Sequence, residues 1–178
     1  MSPGDQGAGR GIIATMNVSL IWAMTDDRVI GINNTLPWRL PADMKWFRQH
    51  TLGKPVIMGR ATFESLGKKP LPDRQNIVIS KQADYQAENV TIVSSIDDAI
   101  AAANHAAEIM IIGGASLYSQ TLEKADKLYI SLVHAQVEGD AWFPEIDFSV
   151  WREIERHDHD SDEKNPYPYS FIIMERAE

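Results

Sequence analysis

The sequence predicts an α/β protein whose mostly parallel sheet is covered by helices on both faces. Three observations carry that reading. Short β-branched or apolar runs alternate with helical stretches up to Leu122. The strand candidates are apolar along most of their length, as strands buried on both faces must be. After Leu122, strand candidates follow one another with no helix between them, which implies antiparallel pairing at one edge.

The elements read in order as follows. Residues 1–15, "MSPGDQGAGRGIIAT", are Gly-rich and aperiodic, so they are expected to be a flexible extension, with one domain spanning 16–178. Their "GAGRG" has no strand before it and a misplaced third glycine, which removes it as a dinucleotide loop. "VSLIWAM" (18–24) reads as the first strand, and "PADMKWFRQH" (41–50) as a helix with Pro41 in its first turn. "PVIMG" (55–59), "NIVIS" (76–80), "VTIV" (90–93) and "IMIIGG" (109–114) are further strands. Between and after them lie the helices "ATFESL" (61–66), "SIDDAIAAANHA" (95–106) and "ASLYSQTL" (115–122); Ile96, Ile100 and Ala103 recur at helical spacing. "KLYISLVHAQV" (127–137), "VWREIER" (150–156) and "YSFIIMER" (169–176) supply the closing strands.

Composition narrows the function. A chain of 178 residues, 44% hydrophobic, supports one well-developed core. No apolar run reaches the roughly 18 residues that span a bilayer, so a soluble, cytoplasmic protein is expected. The absence of cysteine excludes disulfides, thiolate metal sites and thiol nucleophiles. A net charge of −8 disfavours nucleic acid and anionic membranes as partners, and any anionic ligand needs a local basic pocket. "HDHDSDE" (157–163) alternates possible metal ligands, but nothing else fixes their geometry; it reads as a solvated loop, and no metal is expected.

Two junctions could carry chemistry. In "VIMGRATF" (56–63) and "IIGGASLY" (111–118) an apolar strand ends in glycine and a helix follows at once. Such a junction bares backbone N–H groups to an anion, although it is also ordinary strand-to-helix punctuation; Arg60 adds a fixed cation at the first. Asp43 is the other anomaly. An acid early in a helix complements its dipole, which suffices to explain it structurally. Yet Asp43 shares a face with Phe47 and stands beside Met44, and a carboxylate on an apolar face must be hydrogen-bonded, neutralised or matched by a ligand. A flat heterocycle with two parallel N–H donors would match it. GxSxG, HExxH, Walker and GxGxxG patterns are absent.

"DRVIGINNTLPWRLPADMKWF", "PVIMGRATFESLG", "PLPDRQNIVIS", "IMIIGGASLY" and "VEGDAWFP", in this order and spacing, closely resemble the dihydrofolate reductases of the bacterial chromosomal type. The resemblance runs from about Met16 to Arg176. It implies a three-layer fold: a twisted, largely parallel eight-stranded sheet with an antiparallel C-terminal strand, flanked by four helices. The implied reaction is NADPH-dependent reduction of dihydrofolate, in a monomer. Asp43 corresponds to the acid that pairs with the pterin, with Trp38 and Leu36 on the lid and Tyr118 beside the nicotinamide as the other catalytic positions. Ile21, Met44, Phe47, Arg48, Leu66, Leu71, Arg74, Ile112 and Ser131 correspond to substrate contacts, Arg74 clamping the α-carboxylate. Cofactor positions are Ala23, Ile30, Gly59, Arg60, Ala61, Thr62, Ser80, Lys81 and Ile112, followed by Gly113, Gly114, Ala115, Ser116, Leu117 and Tyr118. The Gly113–Gly114 peptide is expected to be cis. Ser116 stands where many members carry an arginine for the 2′-phosphate, so Arg60 and Lys81 are expected to supply that charge. A sibling reductase of another pteridine or pyrimidine, and a nucleotide-binding module without chemistry, are the alternatives; Arg74 and the "LPWRLPADMKWF" segment argue for a pterin with a glutamate tail.

Overall fold

The computed structural model describes residues 16–31, 37–103 and 106–177. Ten strands are defined among them: β1 (Asn17–Thr25), β2 (Val29–Gly31), β3 (Val56–Gly59), β4 (Asn76–Ile79), β5 (Thr91–Val93), β6 (Glu108–Gly113), β7 (Lys127–Val133), β8 (Ala141–Trp142), β9 (Trp151–His159) and β10 (Tyr169–Arg176). The helices are α1 (Pro41–Thr51), α2 (Arg60–Ser65), α3 (Ile96–Ala102) and α4 (Ala115–Thr121), with 3-10 turns at Leu122–Lys124 and Phe148–Val150.

Eight strands form one sheet in the order β5-β4-β3-β6-β1-β7-β10-β9. The pairings from β5 to β7 are parallel, and β10 runs antiparallel to both β7 and β9. This is the α/β sheet with an antiparallel edge that the alternation of strands and helices predicts. Successive side chains of a strand point to opposite faces. Accordingly Leu20, Trp22, Ile57, Ile77, Ile109 and Ile111 pack on one side with Ala99, Leu117 and Tyr118 of α3 and α4. Ile21, Val56, Met58, Val78 and Met110 pack on the other with Trp46 of α1 and Phe63 of α2. Both faces are apolar because both are covered, and three layers result.

Several boundaries differ from the sequence reading. The third predicted helix ends at Ala102, and its positions 104 and 105 lie outside the described residues. The strand placed at 127–137 stops at Val133. His157, Asp158 and His159, assigned to a solvated loop, continue β9: the register pairs Tyr169 with His159 and Phe171 with His157. Alternation of charged residues suggested a loop, but an edge strand exposed along nearly its whole length tolerates them, and charge there blocks pairing with another chain. Among the described residues no group of three or more His, Cys, Asp or Glu side chains could hold a metal ion.

A two-stranded ribbon, β2 against β8, stands beside the main sheet. The short strands escaped the sequence reading because neither is long enough to show alternation. Trp22 on β1 stacks on Phe143 at 3.7 Å and 2°, tying the ribbon to the core. Gly139 approaches it so closely that a Cβ there would lie 2.3 Å from a Val29 methyl and 2.9 Å from the Gly31 carbonyl oxygen. At the opposite end of the sheet, Glu108 accepts from Ser19 Oγ at 2.6 Å and Tyr129 Oη at 2.8 Å, and pairs with Lys54 Nζ at 2.7 Å.

Candidate active site

Parallel α/β sheets bind ligands beyond the carboxyl ends of their strands, where loops and helix starts converge. Here those ends are Thr25 of β1, Gly59 of β3, Ile79 of β4 and Gly113 of β6. Most of the sequence-predicted site residues fall on them or just after them. Ile21 and Ala23 lie on β1, Ile30 on β2, Ser80 and Lys81 directly after β4, and Ile112 and Gly113 on β6. Arg60, Ala61 and Thr62 open α2, while Ala115, Ser116, Leu117 and Tyr118 lie on α4. Asp43, Met44, Phe47 and Arg48 occupy α1, and Ser131 lies on β7, its backbone paired with that of Ala23. Leu66, Leu71 and Arg74 follow α2 in the connection to β4. Leu36 lies outside the described residues, whereas Trp38 is buried at the entrance to α1.

Asp43 is the electrostatic centre of this region. Burial raises its carboxyl from 3.8 to about 6, because removing a charge from water disfavours the ionised form. The neighbouring Ser131 hydroxyl opposes the rise. Ser131 Oγ is buried without a partner at ordinary hydrogen-bond geometry among the described residues, so the two groups are close and only weakly joined. Tyr118 shares the pocket. Its hydroxyl donates to the Ile21 carbonyl oxygen at 2.9 Å, and burial first, then the Asp43 charge, push its pKa upward. The Trp38 indole N–H is also buried with no partner among the described residues.

The two glycine junctions meet in space. The Gly113–Gly114 peptide is cis, as the resemblance implies, and Gly113 has φ 131. A Cβ on Gly113 would come within 3.3 Å of Thr62 Oγ1 and 3.4 Å of Tyr118 Oη, so the first junction, the second and the tyrosine form one bare surface. With only six residues, α2 has little dipole; the charge there comes from Arg60. That guanidinium lies 3.5 Å from Glu64 Oε2 and over the Tyr85 ring at 5.8 Å, which orients it while leaving it exposed.

Arg74 belongs to a second basic point. Its Nη1 donates to Thr51 Oγ1 at 2.9 Å and its Nε to the Pro72 carbonyl oxygen at 2.8 Å. Burial and then the nearby Arg48 charge lower its pKa, which shows two guanidiniums sharing one neighbourhood. Asp73 is the acid that partly offsets them. Thr51, absent from the sequence reading, fixes the arginine; a hydroxyl eight positions after Asp43 on the same helix was the available signal. Met44 remains 62% exposed, contrary to its apparent place in a buried stretch. Its position on the helix turns it away from the core that takes Trp46.

These features define an α/β enzyme with its site at the strand ends: a buried carboxyl on one wall, a glycine-lined floor, and basic groups at two points of the rim. The dihydrofolate reductase family profile matches residues 17–176. A dihydrofolate reductase type 3 of Salmonella typhimurium is 46% identical over 161 residues, covering 90% of this chain and 99% of that one. The dihydrofolate reductase of Haemophilus influenzae is 48% identical over 162 residues, covering 90% and 99%. A solved dihydrofolate reductase from Enterococcus faecalis, complexed with NADP(H) and RAB-propyl, superposes with a TM-score of 0.86 at 37% identity, covering 91% of this chain and 97% of that one. The chain belongs to the dihydrofolate reductase family.

Proposed function

We propose that this chain reduces 7,8-dihydrofolate to 5,6,7,8-tetrahydrofolate, with NADPH as the hydride source and C6 of the pterin as the acceptor. The observation that carries the reading is the half-buried Asp43 carboxyl, raised by desolvation to about 6 and met by a single weak hydroxyl contact. Such a group is costly unless a ligand pairs with it, and a pterin offers an amino group and a ring N–H in the right plane. Phe47 and Ile21 supply apolar walls for the ring. Met44 and Leu66 are large hydrophobic side chains left exposed on the protein alone, suited to the benzoyl portion, with Leu71 beside them. Arg74, held by Thr51 and reinforced by Arg48, suits the α-carboxylate.

The donor set fits a nicotinamide dinucleotide. Gly113 and Gly114 leave backbone where any side chain would meet Thr62 or Tyr118, and Arg60 and Lys81 supply exposed cations for phosphate. Bound there, NADPH supplies the hydride. The protein's work is orientation: Ala23, Ile112 and Tyr118 bracket the nicotinamide position, and Trp38 shields the cleft from water. Asp43 grips the pterin from the side away from N5. It therefore orients and polarises the ring, and water delivers the proton to N5.

A cytoplasmic monomer accords with the net charge of −8 and with the absence of a helix long and apolar enough to cross a membrane among the described residues. The extension expected at residues 1–15 lies outside the described residues. The direct test is loss of NADPH absorbance on mixing protein, NADPH and dihydrofolate, with Asp43→Asn alongside. Substrate-dependent oxidation that collapses in the variant is expected. Binding of both ligands without turnover would overturn the assignment.

A further inference from the structure

The helix that carries Asp43 lacks a cap of its own. Its N-cap residue is Leu40, which has no side-chain acceptor, and Pro41 has no N–H. Asp43 N and Met44 N both turn back to the Leu40 carbonyl oxygen, at 2.9 and 3.3 Å. The remaining first-turn donor, Ala42 N, reaches Asn165 Oδ1 at 3.0 Å across 123 positions of sequence. Asn165 is only 7% exposed, and it is itself held on every side. Its Nδ2 donates to Asp162 Oδ1 at 3.0 Å and to Oδ2 at 3.2 Å, and its backbone N donates to Asp162 Oδ1 at 2.8 Å. Asp162 N closes the turn on the Asn165 carbonyl oxygen at 2.8 Å. The amide orientation is determined by these partners, because the reverse would set oxygen against carboxylate and N–H against N–H.

We propose that Asn165 is a positioning residue for Asp43: its side-chain carbonyl, locked by Asp162, clamps the first turn of α1 and so fixes where the pterin-binding carboxyl stands. The clamp grips the residue immediately before the acid, on the strand of backbone that also leads in from Trp38. Helix caps are usually local; a remote one transmits the position of a loop into the site. Among the described residues no other side chain accepts from this turn, so Asn165 is its one side-chain anchor among them.

The proposal rests on Asp43 binding the pterin, and its test is built to separate the two. Equilibrium constants for dihydrofolate and for NADPH are measured by quenching of intrinsic fluorescence on the full chain. Losing one cap should weaken dihydrofolate binding about fivefold to tenfold in Asn165→Ala, with the NADPH constant within about twofold of wild type. In an Asp43→Asn background the same replacement should change dihydrofolate binding less than about twofold, because its route of action has been removed. The double exchange Asp162→Asn with Asn165→Asp keeps an acceptor toward Ala42 and a donor toward that acceptor, and should restore binding to within about twofold of wild type. Equal losses in both Asp43 backgrounds, parallel loss of NADPH affinity, or no rescue by the exchange overturns the positioning role. Failure of the wild type to bind dihydrofolate overturns the functional reading with it, whereas normal wild-type binding with an inert Asn165→Ala overturns the proposal alone.

Discussion

Asp43→Asn should make the unliganded protein more stable at neutral pH. Burial raises the carboxyl from 3.8 to about 6, and unfolding returns it to water. Each pKa unit corresponds to about 1.36 kcal/mol, so the ionised carboxylate destabilises the fold by about 3 kcal/mol once the pH exceeds its native pKa. The sign follows from counting protons. Between pH 3.8 and about 6 the native carboxyl keeps a proton that the unfolded one has released, so stability falls as pH rises through that window and then levels off. Asparagine keeps the shape and removes the charge. Urea denaturation of both proteins from pH 4 to pH 8 should show the variant ahead by under about 1 kcal/mol at the acid end and by about 3 kcal/mol at the other. A difference that stays flat with pH, or a variant less stable than wild type at pH 8, would refute the claim that burial governs this carboxyl.

Four further perturbations test other parts of the structure. Glu108→Gln removes the charge that binds Lys54, Ser19 and Tyr129; burial alone would raise this carboxyl, but those three donors hold it below its usual value. The variant should lose about 2 kcal/mol at pH 7 by denaturant titration, and the difference should fade as pH drops below the carboxylate range. Gly139→Ala drives a methyl into Val29 and the Gly31 carbonyl, and should cost about 1–3 kcal/mol of thermal stability unless the β2–β8 ribbon shifts. Ser170→Ala strips partners from His134 Nε2 (2.9 Å) and Asp158 Oδ1 (2.6 Å), and should cost about 1–2 kcal/mol by the same measurement. Lys81→Ala should raise the KM for NADPH about fivefold while leaving that for NADH nearly unchanged in steady-state assays; equal effects on both would remove Lys81 from 2′-phosphate recognition.

Legibility in the sequence followed the range of the interactions. Strands such as Val56–Gly59 and Glu108–Gly113 announce themselves because burial on both faces demands continuous apolar residues. Asp43 stood out for a local reason, a carboxylate among aromatic neighbours. The cation pair of Arg74 and Arg48, and the surface formed by Gly113, Thr62 and Tyr118, bring together residues far apart in the chain; the two glycine junctions share a local pattern suited to one pyrophosphate, but the meeting of the two arginines carries no local signal. Asn165 escaped altogether. A single polar residue before a proline carries no periodic signal, and its value lies in one hydrogen bond to Ala42 on a distant helix. The strand at His157–His159 was misread for the complementary reason: at an edge, register with β10 decides conformation and composition says little.

The two ends of the sheet divide the demands of stability and function. At the carboxyl ends of the parallel strands stand groups that oppose folding when no ligand is bound: a carboxyl lifted to about 6, met only by the Ser131 hydroxyl, and the Trp38 indole N–H, which has no partner among the described residues. At the amino ends, Glu108 on β6 joins β1, β7 and the approach to β3 through Ser19, Tyr129 and Lys54, so each of its oxygens is bonded within the protein. The strands between are apolar on both faces and rigidly registered, so stability gained at one end supports an unsatisfied constellation at the other. It follows that Glu108→Gln and Asp43→Asn, which share no partner, should add in their effects on stability, the second offsetting the first at pH 8. The double variant should then unfold within about 1 kcal/mol of the wild type while remaining without reductase activity. A strongly non-additive result would mean that the two ends of the sheet communicate through more than the rigid strands that join them.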